Sequence, residues 1–144
     1  MNEAHRFLRS RRSVRRFEPK PVSRVILHRI LETATYAPSA HHRQPWRFVV
    51  LKTIDAKTRL ADAMGSAFER DLTLDHLSSA EVETQVARSR SRILDAPVAI
   101  VLCFDPSLGD TYLDATHQRA EWLMGAQSAA LAGLQLLQAA HAEG

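Results

Sequence analysis

Two short polar segments carry most of the residues that could do chemistry. The first is Arg11-Arg12-Ser13-Val14-Arg15-Arg16-Phe17, in which guanidinium groups surround one hydroxyl. Guanidinium forks match phosphate oxygens in a bidentate way, and a serine hydroxyl adds a neutral donor. The candidate phosphate-binding residues are Arg11, Arg12, Ser13 and Arg15. The alternatives are a solvated basic arm that binds nothing and an arm that binds nucleic acid.

The second segment is Pro38-Ser39-Ala40-His41-His42-Arg43-Gln44-Pro45-Trp46. Its prolines fix a loop at the entrance to a strand, where polar side chains can point into a cleft. The adjacent histidines suggest a metal at first sight. Such pairs rarely bind one ion alone, and no nearby Cys, Asp or Glu completes a coordination set. We therefore predict no metal site, and either histidine can also be an ordinary surface residue.

Composition limits the class of protein. The chain has 144 residues, 45% of them hydrophobic and 24% charged, which suits a single domain over residues 1–144. Its one cysteine, Cys103, excludes an internal disulfide framework and a multi-cysteine zinc module, and its apolar setting predicts a buried thiol. The five glycines are too far apart for a glycine-rich phosphate loop. A net charge of +3 suits an anionic small ligand as well as nucleic acid.

Neither nucleic acid nor a membrane is the predicted partner. Phe17 is the only aromatic residue interleaved with the N-terminal arginines, unlike the pattern of a nucleic-acid-binding arm. The segment Trp122–Ala140 carries no charge, but its glutamines and serine favour a buried helix over a membrane span. Charges interrupt the N-terminal segment before an apolar signal can form, so we expect a soluble cytoplasmic protein.

The elements that must position these segments can be read from periodicity and capping residues. The pattern predicts helices over Ala4–Ser10, from Ser23 to before Pro38, around Leu60–Phe68, from Ser78 through Ile93, and over Tyr112–Ala142, with strands at Trp46–Leu51 and Val98–Phe104. The second strand is an unbroken apolar run, which predicts cover on both faces. Gly125, Ala129 and Gly133 form a stripe on the last helix that would admit another helix. The fold class is α+β, with a central sheet wrapped by helices.

Taken together, the two polar segments resemble the nitroreductase superfamily of FMN-dependent oxidoreductases. The resemblance rests on Arg-Arg-Ser-Val-Arg-Arg-Phe and on Ala-Pro-Ser-Ala-His-His-Arg-Gln-Pro-Trp-Arg-Phe-Val-Val-Leu. The helix opened by Ser78, the Ala-Pro-Val strand and the long last helix follow in the family's order. The double histidine is most similar to the branch that includes the nitroreductase-like C-terminal domain of coenzyme F420 glutamate ligase.

The resemblance implies an α+β homodimer with a long central dimer helix, a central antiparallel or mixed sheet, and FMN in two sites at the subunit interface. It assigns the FMN phosphate and ribityl chain to Arg11, Arg12, Ser13 and Arg15. It assigns contacts with the other subunit's flavin to Pro38, Ser39, His42 and Gln44. Two residues depart from the family pattern, because Ala40 replaces a frequent serine and His42 stands where many members have asparagine.

The implied reaction transfers reducing equivalents from NAD(P)H through FMN to a small organic acceptor. Nitroaromatics, quinones, enones and deazaflavin precursors all remain open as acceptors. We predict no catalytic side chain, because the cofactor carries the chemistry. The alternative is a flavin- or deazaflavin-binding module without turnover of its own.

The family pattern continues beyond the last helix with Gly-Leu-Gly and a strand, whereas this sequence ends at Gly144. In the family that segment lines the flavin ring and adds contacts to the phosphate. We therefore expect a nitroreductase-like domain that lacks the usual C-terminal segment and holds FMN weakly or not at all.

Overall fold

Five helices and two strands account for most of the chain, of which the computed structural model describes residues 1–144. The elements in chain order are α1 (Glu3–Ser10), α2 (Arg24–Ala34), β1 (Trp46–Leu51), α3 (Ile54–Leu74), α4 (Ser79–Asp95), β2 (Ala99–Phe104) and α5 (Ala115–Ala142). Short 3₁₀ turns cover Ala40–His42 and Pro106–Leu108. The α+β prediction is confirmed, with a sheet that consists of the β1–β2 pair alone.

Residues fall into two compact units, of which the first comprises 1–12, 22–49 and 101–144. Here β1 and β2 run antiparallel, and Asp105 N donates to Pro45 O at 2.8 Å where the pair ends. The core of this unit contains Ala37, Trp46, Ala129 and Ala132, with Phe48, Leu102 and Phe104 packed against it. Helix α5 therefore supplies small residues, and the strands supply the large ones.

The glycine stripe of α5 faces strand β2, not another helix. A Cβ at Gly133 would lie 2.9 Å from Leu102 Cδ2, and one at Gly125 would lie 2.7 Å from Phe104 Cζ. The expectation that this stripe admits a second helix was wrong, because large side chains of the chain's own strand occupy the space. Every residue of β2 is half-buried, so the predicted cover on both faces is incomplete, and Cys103 is half-buried as well.

The C-terminal end of α5 contacts α1 and α2 through side chains. The rings of Phe7 and His141 stack with centroids 5.1 Å apart, and Ser10 Oγ lies 2.7 Å from His141 Nε2. Arg29 Nη1 donates to both carboxylate oxygens of Glu143, at 2.9 and 3.1 Å. The contacts of Phe7 and Ser10 hold α1 against the C-terminal part of α5, and α1 leads directly into the arginine segment.

The second unit comprises residues 13–21 and 50–100, and it is built on the pairing of α3 with α4. Lys57 is buried, and its ammonium group donates to the carbonyls of Leu94 and Ala96 at 2.8 and 2.6 Å. Those carbonyls lie at the C-terminus of α4, where a cation is favoured. The predicted capping box is present, with Ser78 and Glu81 bonded reciprocally.

Helix boundaries differ from their predicted positions in α5, in α2 and in α3, which extends beyond Leu60–Phe68 at both ends. Helix α5 begins at Ala115, three residues after the predicted start, because the side chain of Asp114 caps it by accepting from His117 N at 2.9 Å. Helix α2 ends at Ala34 and not immediately before Pro38. No helix combines the length and the apolar character that crossing a bilayer requires.

Candidate functional site

The loop from Pro38 to Gln44 joins α2 to β1 and is held by its own hydrogen bonds. Ser39 Oγ accepts from Gln44 N at 3.1 Å, which closes the loop on itself. Ala40 N donates to Ser128 Oγ at 3.1 Å, so the buried Ser128 anchors the loop to α5. The hydroxyl of Ser128 in turn donates to Met124 O at 2.8 Å. This anchoring gives the loop a defined conformation on a rigid element.

Three residues of this loop adopt left-handed backbone conformations. His41, His42 and Gln44 have φ values of 49°, 55° and 49°. For residues other than glycine this conformation costs on the order of 1 kcal/mol or more each, and it persists only where neighbouring contacts impose it. Such strain is concentrated at functional segments, so the loop is a candidate binding element on geometric grounds.

The four predicted site residues of the loop differ in what they can still offer. Pro38 and His42 are exposed, and no hydrogen bond or ion pair engages the His42 ring within the chain. The Gln44 side chain already donates to Thr35 O at 3.3 Å. Ser39 uses its oxygen as an acceptor for Gln44 N but keeps its own hydroxyl proton free. Among these four residues, His42 therefore has the least committed polar side chain.

The arginine segment follows α1 and has no regular secondary structure. Its first residue, Arg11, is the C-cap of α1 in an extended conformation. Arg12 Nη1 donates to the carbonyls of Arg9 and Arg11 at 2.7 and 3.0 Å. The side chains of Arg11, Ser13 and Arg15 make no hydrogen bond within the chain. None of Arg11, Arg12 and Arg15 is paired with a carboxylate.

This donor set fits a phosphate. Three guanidinium groups without an acidic partner, together with a free hydroxyl, present many hydrogen-bond donors and no negatively charged acceptor. Guanidinium groups without a carboxylate partner can form bidentate, charge-assisted hydrogen bonds with the oxygens of an anion. In the loop, Ser39 and Gln44 are in direct contact through the hydrogen bond from Gln44 N to Ser39 Oγ. No hydrogen bond links Arg11 or Arg12 with the Pro38–Gln44 loop in this chain.

Arg43 within the loop and two polar residues that contact it or each other, Asp110 and Glu121, were not among the predicted site residues. Arg43 forms an ion pair with Asp110 Oδ1, and Asp110 N donates to Glu121 Oε1 at 3.1 Å. Asp110 is distant from the loop in sequence, so no local sequence pattern indicates that it lies near Arg43. Glu121 had a detectable signal, because it stands one turn before Gly125 on the same inward stripe of α5.

Three groups elsewhere on the surface have lowered pKa values with clear causes. The hydroxyl of Ser107, followed by its backbone N–H, lowers the pKa of Asp105. The backbone N–H and then the ring of His117 lower the pKa of Asp114. Glu81 has a lowered pKa because the hydroxyl and then the N–H of Ser78 donate to it. All three carboxylates act as local caps, so these shifts belong to the fold and not to the candidate site.

The profile of the nitroreductase family matches residues 8–144, nearly the whole chain. The protein belongs to the nitroreductase family. The match includes the arginine segment, the Pro38–Gln44 loop and α5, so both predicted segments lie within it. The resemblance inferred from the sequence is thereby confirmed.

Individual family members agree with this assignment. NADH dehydrogenase of Thermus thermophilus is 38% identical over 78 residues, which are 54% of this chain and 38% of that protein. Iodotyrosine deiodinase of Danio rerio is 42% identical over 52 residues, or 36% of this chain and 18% of that one. A Desulfovibrio desulfuricans nitroreductase-type structure solved in complex with FMN is 25% identical with a TM-score of 0.69, covering 99% of this chain and 64% of its own. The matched part is less than two thirds of each of these proteins.

Proposed function

We propose that this nitroreductase-family chain is an FMN-dependent oxidoreductase that passes reducing equivalents from NAD(P)H to a small organic acceptor. Family membership over residues 8–144 is the observation that carries the proposal. The Desulfovibrio desulfuricans relative was crystallised with FMN, and the Thermus thermophilus relative is named for NADH. We treat residues 1–144 as one nitroreductase-like domain for this purpose.

In this proposal Arg11, Arg12, Ser13 and Arg15 bind the phosphate and ribityl chain of FMN. Their chemistry fits, because the donor set has no internal carboxylate to neutralise it. Arg12 is partly held by its bonds to Arg9 O and Arg11 O, which fixes part of the segment. Arg11 and Arg15 remain free to form bidentate contacts with phosphate oxygens.

The Pro38–Gln44 loop is the proposed contact with the flavin of the partner subunit. Pro38, Ser39, His42 and Gln44 are the residues assigned to it. His42 can donate or accept a hydrogen bond with its free ring nitrogens. The anchoring of Ala40 N on Ser128 Oγ at 3.1 Å keeps the loop in place without using His42.

FMN supplies the hydride and electron transfer when it is bound. The chain's own residues then have binding, orienting and water-excluding roles, and we assign no side chain as acid, base or nucleophile. The acceptor stays open among nitroaromatics, quinones, enones and deazaflavin precursors, because the fold does not select between them.

We further propose a homodimer formed through α5. The inner stripe of this helix packs on β2, but Leu123, Leu131, Leu134 and Leu137 are 59%, 43%, 48% and 52% exposed in the single chain. A helix that is apolar on both its inner and outer faces calls for burial on both. A second copy of the chain satisfies this need and brings the Pro38–Gln44 loop to the partner's flavin.

A flavin-binding module without turnover is the alternative. Both proposals require bound flavin, so colour alone does not separate them. Purified protein with added FMN, mixed with NADH or NADPH under anaerobic conditions, provides the test. Donor consumption coupled to an added quinone or nitroaromatic supports the oxidoreductase, whereas bound flavin without donor consumption supports the module.

A further inference from the structure

A three-residue cluster outside the proposed flavin contacts combines an imidazole with two carboxylates. His41 lies in the 3₁₀ turn of the loop, Asp110 follows the Pro106–Leu108 turn, and Glu121 belongs to the second turn of α5. Their potential ligand atoms all lie within 4.8 Å of one another. All three residues belong to the same compact unit. The fold therefore brings together residues that are far apart in sequence.

Glu121 provides the second, independent observation. The residue is only 5% exposed, and one carboxylate oxygen, Oε1, accepts from Asp110 N at 3.1 Å. The other oxygen, Oε2, is buried and has no hydrogen-bond partner. A buried carboxylate oxygen without a partner is strongly unfavourable, since burial removes its water without replacing it. Something that is neither side chain nor backbone of this chain has to satisfy Oε2.

The charges around the Glu121 carboxylate favour a cation over an anion. Arg43 is ion-paired with Asp110 Oδ1, which leaves Asp110 Oδ2 available. Two carboxylates against one guanidinium leave one negative charge uncompensated. The exposed His41 adds a neutral nitrogen ligand when its imidazole is deprotonated.

We propose that His41, Asp110 and Glu121 bind a divalent transition-metal ion of the zinc class. Imidazole nitrogen and carboxylate oxygen are both ligand types that zinc-class ions accept, whereas Mg²⁺ and Ca²⁺ prefer oxygen ligands alone. Metal–ligand bonds of about 2.0–2.2 Å allow ligand atoms to be no more than about 4.4 Å apart. Rotation of the exposed His41 side chain closes the remaining gap.

Such an ion would fasten the Pro38–Gln44 loop to α5 at a second point. Ala40 N already bonds to Ser128 Oγ on that helix, and His41 would add a metal-mediated tie to Glu121. The site would thus stabilise the loop that carries His42 and Gln44. It does not depend on the proposed function, since none of its three ligands is assigned to the flavin.

A bound water molecule is the competing explanation for Oε2. A small cavity of about 10 Å³ is lined by Glu121, Arg43 and Ser128 among other residues. That volume is close to the minimum for one water molecule. Water alone would satisfy Oε2 without any dependence on His41, and this difference decides the design of the experiment.

Calorimetric titration of the full chain with Zn²⁺, after treatment with a chelator, tests the proposal. The chain has 7 histidines, so adventitious binding has to be separated from the site. The test variants are His41→Ala and Glu121→Gln. The matched control is His76→Ala, because His76 is also exposed and also has a positive φ, of 62°. Circular dichroism establishes that each variant is folded.

We expect one Zn²⁺ per chain, an affinity at least tenfold weaker in His41→Ala and Glu121→Gln, and no change in His76→Ala. Co²⁺ bound to the wild type should give visible bands of a low-coordinate site, and these should be lost in His41→Ala. If Glu121→Gln does not fold, His41→Ala decides the matter alone. Equal Zn²⁺ affinity in wild type and His41→Ala, or no Zn²⁺ binding by the wild type, would overturn the proposal in favour of a water molecule.

Discussion

Gly125 of α5 lies against the ring of Phe104 on β2, and a Cβ at position 125 would be 2.7 Å from Phe104 Cζ. Gly125→Ala must therefore displace a ring packed against the core. Overpacking of this kind costs about 1–3 kcal/mol. We expect a lower free energy of unfolding, measured by urea denaturation, even though alanine is the better helix former.

Gly65→Ala is the matched control, because Gly65 also lies inside a helix. A Cβ there would meet Val86 Cγ1 at an ordinary 3.6 Å. Without a clash, the helix propensity of alanine should raise stability by about 0.5–1 kcal/mol. Equal effects of the two substitutions on the free energy of unfolding would show that the close contact of Gly125 with Phe104 does not require glycine at position 125.

Arg15→Ala should weaken FMN binding through the phosphate. Loss of a charge-assisted hydrogen bond corresponds to about 1.5–3 kcal/mol, or roughly tenfold to hundredfold in Kd. Riboflavin has no phosphate, so its affinity should not change. Arg88→Ala removes an arginine that is also exposed, on α4, and should affect neither ligand. Flavin fluorescence titration measures the affinity for FMN and for riboflavin. An equal loss of riboflavin affinity would show that Arg15 contributes to folding and not to phosphate binding.

Leu137→Glu should convert a dimer into a monomer. Leu137 is 52% exposed in the single chain, so the substitution is compatible with the fold but not with an apolar interface. An obligate interface should bury about 2,000 Å² or more in total. Light scattering measures the mass of each variant. Leu74→Glu, at a position 76% exposed on α3, is the control that should remain dimeric. A monomeric wild type at micromolar concentration would refute the dimer.

The capping box of α4 should make stability depend on pH in a defined direction. The Ser78 hydroxyl, followed by the Ser78 N–H, lowers the pKa of Glu81 in the folded state. The ionised carboxylate therefore stabilises the fold above its ordinary pKa of 4.5, and this contribution is lost as the pH falls through the lowered folded value. Glu81→Ala should reduce the free energy of unfolding at neutral pH more than in acid. A constant difference across that range would contradict the assignment.

Local elements were readable from the sequence because their causes are local. Strand β1 occupies the predicted Trp46–Leu51, and the Ser78–Glu81 capping box opens α4 as expected. Each depends on side-chain alternation or on a hydrogen bond between residues a few positions apart. The start of α5 differs from the prediction because the Asp114 side chain caps the helix by accepting from His117 N.

Long-range relations could not be read in the same way. The stripe of Gly125 and Gly133 indicated close packing, but periodicity does not say that the neighbour is β2. Likewise, the sequence around His41 contains no acidic residue that could share a ligand with it. Asp110 and Glu121 reach it only through the folded arrangement of the chain. Contacts between distant segments depend on the three-dimensional fold, which a single sequence does not display.

The absorbance spectrum of the purified protein during FMN titration, followed by anaerobic addition of NADH or NADPH, tests the central claim most directly. We expect saturable changes in the flavin bands as FMN binds at micromolar concentration. The blue band should then bleach faster than that of free FMN under the same conditions. A flavin spectrum unchanged by the protein would contradict FMN binding, and bound flavin that bleaches no faster than free FMN would contradict the oxidoreductase.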